Sequence, residues 1–535
     1  MFGIFNHSSK VIRLLIVLLV VEFTIVWIHT MNNISNIIIT RFFLCVLGCL
    51  GIMILFSVNN TKGKKCLIIL ITVWALYEVV LGALQNYRII ESNHVVFSIT
   101  GSFINPNPYA CFLVVSFAIL SSFRFKSNDK NRCLETIIDI TLFLIIIVLP
   151  STKCRAAFCA FIVVIAIHLW RNPEWRKYIT CHAMIIIPLL LLSTVMLYMW
   201  KKPSADWRLF HNKMSMLAIL KNWLLGSGLG NYGNAISLTQ LEYFRERILM
   251  HEGCLMIPKV YSNECERSNW SKSAFCDPLQ IGVEAGVFTM ITYMTLVILS
   301  ILQLKKRGSS LFYGAIALQI TSLFSYSMEL WQNELLLVLM IGEAACGDSK
   351  KRANKWFYVS LASVSVAGLL FCYPTIRKAK REKKEWQLDR HYYNIEEYKL
   401  YSDYCRERVC SQDCNEEYLM EYGIALSRIG ETSLSDSILS LGFACSGNPA
   451  FLLLLGENSL LRLDYKQAET YFWDSFCCVP DRIMPLNRLA RVYQMQKKKD
   501  CLENLKRSIS TFKPRIESEI TKLLREETDK MIVEL

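Results

Sequence analysis

SITGSFINPNPYACFLVVSFAIL, residues 98–120, passes from polar, helix-interrupting residues into an uncharged and largely apolar run that begins at Tyr109. A run of that kind has the character of a membrane helix, and comparable blocks recur through the first 375 residues. They fall near 11–30, 37–58, 66–84, 108–123, 135–149, 155–170, 178–200, 279–303, 311–328, 334–347 and 356–374, about eleven spans in all. With 53% hydrophobic residues in a chain of 535 and a mean hydropathy of +0.31, the composition agrees. The expected fold is all-α: a polytopic membrane helix bundle over 1–375. The first block carries Glu22 and has no small-residue cleavage site behind it, which favours a retained span over a cleaved signal peptide.

The net charge of +14 is explained by orientation and calls for no nucleic-acid partner. Short loops at 61–65, 124–132, 171–177, 305–307 and 350–355 carry 17 Lys/Arg, whereas 31–36, 85–107, 151–155 and 329–333 carry 3. The positive-inside rule then puts the N-terminus and the first set in the cytoplasm. RKAKREKK at 377–384 runs against this, because an odd number of crossings puts it outside. If the short span at 334–347, which contains Glu343, does not cross, the tail is cytoplasmic. The outside reading is kept because the other loops agree.

Two stretches lie outside this frame: a large extracytoplasmic loop over 201–278 and a tail over 378–535. In the tail, LGENSLLRLDYKQAETYFWDSFCCVP (455–480) fits a tetratricopeptide-like template at Leu455, Gly456, Ala468, Phe472, Ser475 and Pro480. A fainter copy, Ser437, Leu441, Ala444 and Pro449, ends 31 residues earlier, and a third pair around Leu489, Tyr493, Leu502 and Leu505 caps the stack. A helical-repeat tail is expected to dock a protein partner rather than to do chemistry. Of the 20 cysteines, those in apolar spans serve as small hydrophobes, while Cys254, Cys265 and Cys276 in the loop and Cys405, Cys410 and Cys414 in the tail are disulfide candidates on an oxidising side. No zinc-type spacing occurs, so neither a structural metal nor a cofactor is expected.

The Asn-Pro-Asn-Pro run at 105–108 sits where the chain re-enters the membrane. Pro106 and Pro108 are tolerated in a first helical turn, and Asn105 or Asn107 can cap it. That alone makes a helix start. A helix N-terminus facing a watery cavity also attracts anions, which makes a phosphate-bearing ligand the second reading. LPSTKCRAAFCAFIVV (149–164) puts Arg155 at the start of a span, where an unpaired charge at mid-bilayer costs about 2.5–3.5 kcal/mol. Arg155 therefore belongs at the mouth or beside an anion. In ADWRLFHNKMSMLAILKNWLLGSGLGNY (205–232), Trp207, Phe210, Met214 and Leu217 form an apolar stripe, and Arg208, Asn212 and Ser215 share another face. Such a helix can lie on the membrane with Arg208 turned toward the cavity. GSGLG (226–230) lacks a preceding strand and is read as a turn, not a dinucleotide loop.

GSFINPNPYACFL, STKCRAAF, WRLFHNKMSMLAILKNWLLGSGLGNY and AFCDPLQIGVEAGVF, in that order between spans, resemble the O-antigen ligase and polysaccharide polymerase superfamily of bacterial inner membranes over most of residues 100–345. The tetratricopeptide-like tail resembles a subgroup. The resemblance implies a metal-independent glycosyltransferase of the inner membrane, with the large loop and the tail periplasmic. It would move a glycan from an undecaprenyl-diphosphate carrier to a glycan, lipid or protein acceptor. The positions matching the family's two diphosphate-holding arginines are Arg155 and Arg208, and the Asn105–Asn107 turn would wall the same pocket. Two guanidinium groups would stabilise the leaving diphosphate electrostatically.

This chain departs from the family in one place. Ligases carry a His shortly before the LQ…E.G stretch, and here Phe275-Cys276-Asp277 precedes Leu279-Gln280. Asp277 is the substitute candidate for the base that activates the acceptor, and Glu284, His211 and Lys213 are auxiliary candidates; His251 is a further histidine of the loop. The missing His weakens ligation to a lipopolysaccharide core and raises O-antigen polymerase activity. Transfer to a Ser/Thr hydroxyl, as by a protein O-oligosaccharyltransferase, stands beside them. A lipid-linked glycan flippase would share the hydrophobicity and the basic loops but calls for a two-half pseudosymmetry that this sequence does not show. A scaffold built around the tail would leave the arginine and Asn-Pro motifs without a task.

Overall fold

The computed structural model describes residues 8–29, 60–94, 97–126, 132–182, 202–326, 330–346, 355–407, 415–514 and 517–533, with scattered single positions between them. The expected span at 37–58 and most of that at 178–200 lie outside the described residues. Apart from one hairpin, β1 (Leu249–His251) against β2 (Cys254–Met256), every described element is helical.

In the first part of the chain these are α1 (Ser8–His29), α2 (Asn60–Asn86), α3 (Pro106–Lys126), α4 (Arg132–Val148), α5 (Arg155–Arg171) and α6 (Pro173–Cys181). The loop contributes α7 (Lys202–Lys221), α8 (Tyr232–Arg245) and α9 (Lys259–Arg267), and then come α10 (Asp277–Lys306), α11 (Leu311–Phe324), α12 (Trp331–Ala345) and α13 (Lys355–Asn394). Among the described residues, five helices are long and apolar enough to cross a membrane: α1, α2, α3, α4 with its 3-10 extension to Thr152, and α10. α5 and α6, bent by 108° at Asn172, make a sixth if taken as one broken span.

α3 is the axis of this bundle. Every residue from Pro108 to Ser122 is buried against α2, α4, α5 and α11, which accounts for a helix that is apolar on all its faces. Its first turn is fixed from below. The Tyr109 hydroxyl donates to the Glu78 carbonyl at 3.0 Å, a reach that Gly82 permits, since a Cβ there would stand 2.0 Å from that hydroxyl. The Glu78 carboxylate accepts from Ser102 N at 3.0 Å, and Gln85 Oε1 from Gly101 N at 2.7 Å, so two buried side chains of α2 hold the segment that leads into α3.

α10 is broken at Gly286 (φ 87, ψ 172). A Cβ on Gly282 would sit 3.0 Å from Met290 Sδ, although eight residues of straight helix span about 12 Å; the chain therefore doubles back there. The carbonyls opened by the break are satisfied by the GSGLG turn: Ser227 N donates to Val283 O at 2.8 Å and Gly228 N to Glu284 O at 2.9 Å. Val287 N in turn donates to Trp223 O at 2.8 Å.

The tail adds α14 (Tyr398–Arg406), α15 (Glu416–Arg428), α16 (Thr432–Ser446), α17 (Pro449–Leu461), α18 (Tyr465–Cys478), α19 (Met484–Met495), α20 (Lys499–Thr511) and α21 (Glu519–Val533). Consecutive helices pair and the pairs stack, with glycines at the close crossings: a Cβ on Gly456 would meet the Phe472 ring at 2.4 Å, and one on Gly442 the Phe451 ring at 2.2 Å. Ala468, Phe472, Leu489, Leu502 and Leu505 are buried as expected, whereas Leu441 is largely exposed because Gly442 makes the crossing in its place.

Loop and tail share one core. Phe210, Tyr232, Ile236 and Phe244 of α7 and α8 pack in a single cluster with Phe472, Phe476, Leu486 and Leu505. Polar bonds close its edges: Asn234 Nδ2 to Ala444 O (2.6 Å), Trp270 Nε1 to Ser446 O (3.1 Å), Arg245 to Asp474 (3.2 Å) and Asn504 Nδ2 to Glu252 O (3.0 Å). The two regions therefore lie on the same side of any bilayer that the bundle crosses. Cys254, Cys265, Cys276 and Cys405 are free thiols, contrary to their candidacy as disulfide partners. Cys445 is disulfide-bonded, and Cys410 and Cys414 lie outside the described residues.

Candidate functional site

A cleft of about 710 Å³ opens where the bundle meets α7. Its walls come from seven places: the end of α2 at Asn86, the segment before α3, the 3-10 turn Leu149–Thr152 with the start of α5, the first half of α7, Asn269 after α9, Phe275 just before α10, and the end of α11 at Phe324, Ser325 and Tyr326. Arg155, Arg208, Asn105 and Asn107, expected on sequence grounds to share a pocket, all line it.

Each is held by local chemistry. Asn105 Oδ1 accepts from Asn107 N at 3.1 Å, an Asx turn that starts α3 with Pro106 as its first residue. The helix-start and cleft-wall readings of this run are therefore both realised. Arg155 is the first residue of α5, after an extended Cys154 whose thiol reaches the Asn107 carbonyl at 3.9 Å. Lys153, exposed on the same wall, sits in the left-handed region (φ 50, ψ 28), with its N–H on Pro150 O at 3.1 Å. The first turn of α7 is pinned through buried Asp206, which accepts from Arg267 Nη2 at 2.8 Å and also from the Tyr198 hydroxyl.

Arg208 donates through Nη1 to Phe324 O at 2.7 Å, and its guanidinium lies 5.0 Å over the Phe275 ring. Phe275 is in turn braced edge-on by Trp207 (4.7 Å) and Tyr326 (5.3 Å). The Arg208 Nε is closed off from solvent with no hydrogen-bond partner. Burial pushes the Arg208 pKa below its ordinary value, and the positive charge of Arg155 pushes the same way. A guanidinium keeps its proton regardless, so what relieves this pair is an anion. Among the described residues, no carboxylate and no histidine lines the cleft, while three cations do.

The remaining candidates lie elsewhere. Asp277 is 2% exposed at the start of the fold-back and is within electrostatic reach of Tyr293 inside the bundle, not among the cleft residues. Glu284 is buried at the α10 break, where it accepts from Gln280 Nε2 at 3.2 Å and serves the turn. His211 is 1% exposed, stacked on Trp207 (5.2 Å) with the Tyr232 ring tilted against it (5.7 Å) and neither ring nitrogen hydrogen-bonded; burial lowers its pKa to about 4 and keeps it neutral. Lys213 is committed to Glu264 (2.7 Å) and the Tyr243 hydroxyl (2.7 Å) on the far face of α7. His251 is exposed on β1. Lys153, Phe275 and Tyr326 are cleft residues that sequence reasoning does not find. An extra Lys beside Arg155 was the visible signal; the two aromatics depend on the α10 fold-back, which no local pattern announces.

No family model and no curated protein matches the chain.

Proposed function

We propose that this cleft holds the diphosphate of a polyprenyl-diphosphate-linked glycan and that the protein transfers the glycan to an acceptor hydroxyl at the membrane surface. The observation that carries this reading is the convergence of Arg155 and Arg208, with Lys153 beside them, in a cleft that no carboxylate lines among the described residues, at the end of an apolar helix bundle. Supporting it are the ordered motifs that resemble the O-antigen ligase and polymerase superfamily, set among recurring apolar blocks and followed by a tail of paired helices. The disulfide at Cys445 suits an oxidising compartment for the tail, and the core shared by loop and tail supports putting both on one side, which in this reading is the periplasm of a bacterial cell.

In the reaction the acceptor oxygen bonds to the anomeric carbon, the bond from that carbon to the diphosphate oxygen breaks, and its electron pair stays on the diphosphate. Arg155, Arg208 and Lys153 meet the developing charge. With Asp277 buried and not among the cleft residues, the hydroxyl proton passes in this reading to a phosphate oxygen of the leaving group.

The test is glycan transfer from a lipid-diphosphate donor in membranes carrying Arg155→Ala or Arg208→Ala. Each variant is expected to lose on the order of 100-fold in rate while inserting normally. Undiminished transfer by both removes the enzyme reading. A glycan ladder lost from lipid, released unattached, or lost only from glycoproteins assigns polymerase, ligase or protein transferase in turn.

A further inference from the structure

The end of the bundle opposite the cleft carries a second cluster of cations, and the diphosphate chemistry has no use for it. There the C-terminal ends of α3 and α5 meet the link between α10 and α11. Lys126 Nζ donates to Gly308 O at 2.7 Å and stands 5.6 Å from the centre of the Tyr313 ring. Arg171 donates through Nη1 to the Tyr313 hydroxyl at 2.9 Å, with its guanidinium 5.5 Å from the same ring. Lys64 pairs with Glu343 at 2.9 Å, Ser309 Oγ donates to that carboxylate at 2.6 Å, and Arg307 donates to the Glu343 carbonyl.

Four cations thus gather at this end of the bundle, and among the contacts just described a single carboxylate, that of Glu343, is paired with one of them, Lys64. Two donors of Arg307, Nε and Nη2, are closed off from water with no acceptor among the described residues. Buried guanidinium donors left unsatisfied are costly, and an anionic oxygen would satisfy them. The rim of the cluster is apolar and aromatic. Phe125 is 78% exposed beside Lys126, Trp170 is half exposed beside Arg171, and α6, turned 108° away from α5, presents Trp175 and Tyr178 to the outside. Aromatic side chains at that depth mark the headgroup level of a bilayer. A charged seam with an apolar rim at that level fits a phosphodiester that brings its own acyl chains.

We propose that this seam binds the headgroup phosphate of an anionic phospholipid, through Lys126, Arg171 and Arg307 with Lys64 at its edge. The assignment is independent of the cleft and of the transferase reading.

The experiment is native mass spectrometry of the full-length protein, delipidated in detergent and titrated with phosphatidylglycerol or phosphatidylcholine. Wild type is expected to retain phosphatidylglycerol preferentially. Lys126→Gln, Arg171→Gln and the edge variant Lys64→Gln should each weaken retention about five-fold, the effect of one surface cation on an anionic lipid. Arg124→Gln, whose guanidinium faces Glu135 and Asp139 of α4 and makes none of the seam contacts, should match wild type. Equal retention of both lipids overturns the site. An equal loss in Arg124→Gln overturns it in favour of diffuse surface charge. Displacement of the lipid by millimolar inorganic phosphate overturns the lipid assignment in favour of a soluble anion. The Lys64 variant keeps the test open if substitution at Lys126 or Arg171 impairs folding, since Lys64 is partly exposed.

Discussion

His211 shows how far a residue's chemistry depends on what covers it. In sequence it stands three residues from Arg208 and invites a catalytic role; folded, it is an aromatic slab beneath Trp207 with its pKa held near 4 against an ordinary 6.5. The consequence for pH has a definite sign. Between about pH 6.5 and 4 the unfolded chain binds a proton at this position that the native chain refuses, so stability falls as the pH is lowered through that window and is complete above it. His211→Phe fills the same apolar niche without the titration. Its melting temperature should change less between pH 7.5 and pH 5 than that of wild type; an unchanged pH dependence would show that the site is not this one. The site residues split along the same line. Asn105, Asn107 and Arg155 are legible because helix-start chemistry is local, and their neighbours within a few residues decide their orientation. Asp277 is not, because its exposure is set by a reversal nine residues further on.

That reversal belongs to the scale of elements. GSGLG is recognisable as a turn from its glycines alone, yet nothing in VEAGVF announces a broken helix, since a single Gly is tolerated in many long ones. The two stretches explain each other only when paired: the turn supplies the N–H groups that the break leaves wanting. Gly226 and Gly286 both have positive φ, and a Cβ on either would come within 2.4 Å of the opposing backbone. Gly286→Ala and Gly226→Ala are each expected to destabilise by more than about 1 kcal/mol. The double variant should cost less than the sum of the two, because both disturb one contact. Strict additivity in thermal unfolding would show that the turn and the break act separately. α3 was the easier element to read as a helix, from its apolar run alone; its place at the centre of the bundle emerges only from the packing.

For the whole molecule, the fold class and the separation of a loop and a tail from an apolar frame follow from composition. What composition does not disclose is that these two soluble pieces are one body. Their hydrophobic positions look like two separate amphipathic sets until α8 is seen packed on α16 and α18. A tail meant only for docking could be removed without harm. Here, deletion of 378–535 uncovers Tyr232, Ile236 and Phe244 on the helix that supports α7, and so loosens the carrier of Arg208. The truncated protein is expected to lose cleft function and to become protease-sensitive within 202–276. Wild-type protection of that segment after truncation would contradict the shared core.

The same union sets an order for biogenesis. α7 and α8 emerge from the ribosome some two hundred residues before α18 and α19, which must complete their hydrophobic neighbourhood. Until the last helices have been synthesised and have packed on α8, the arginine-bearing wall has no backing. The nascent chain therefore stays half-assembled through most of its synthesis, and its final turns, far from the cleft in sequence, are what finish it.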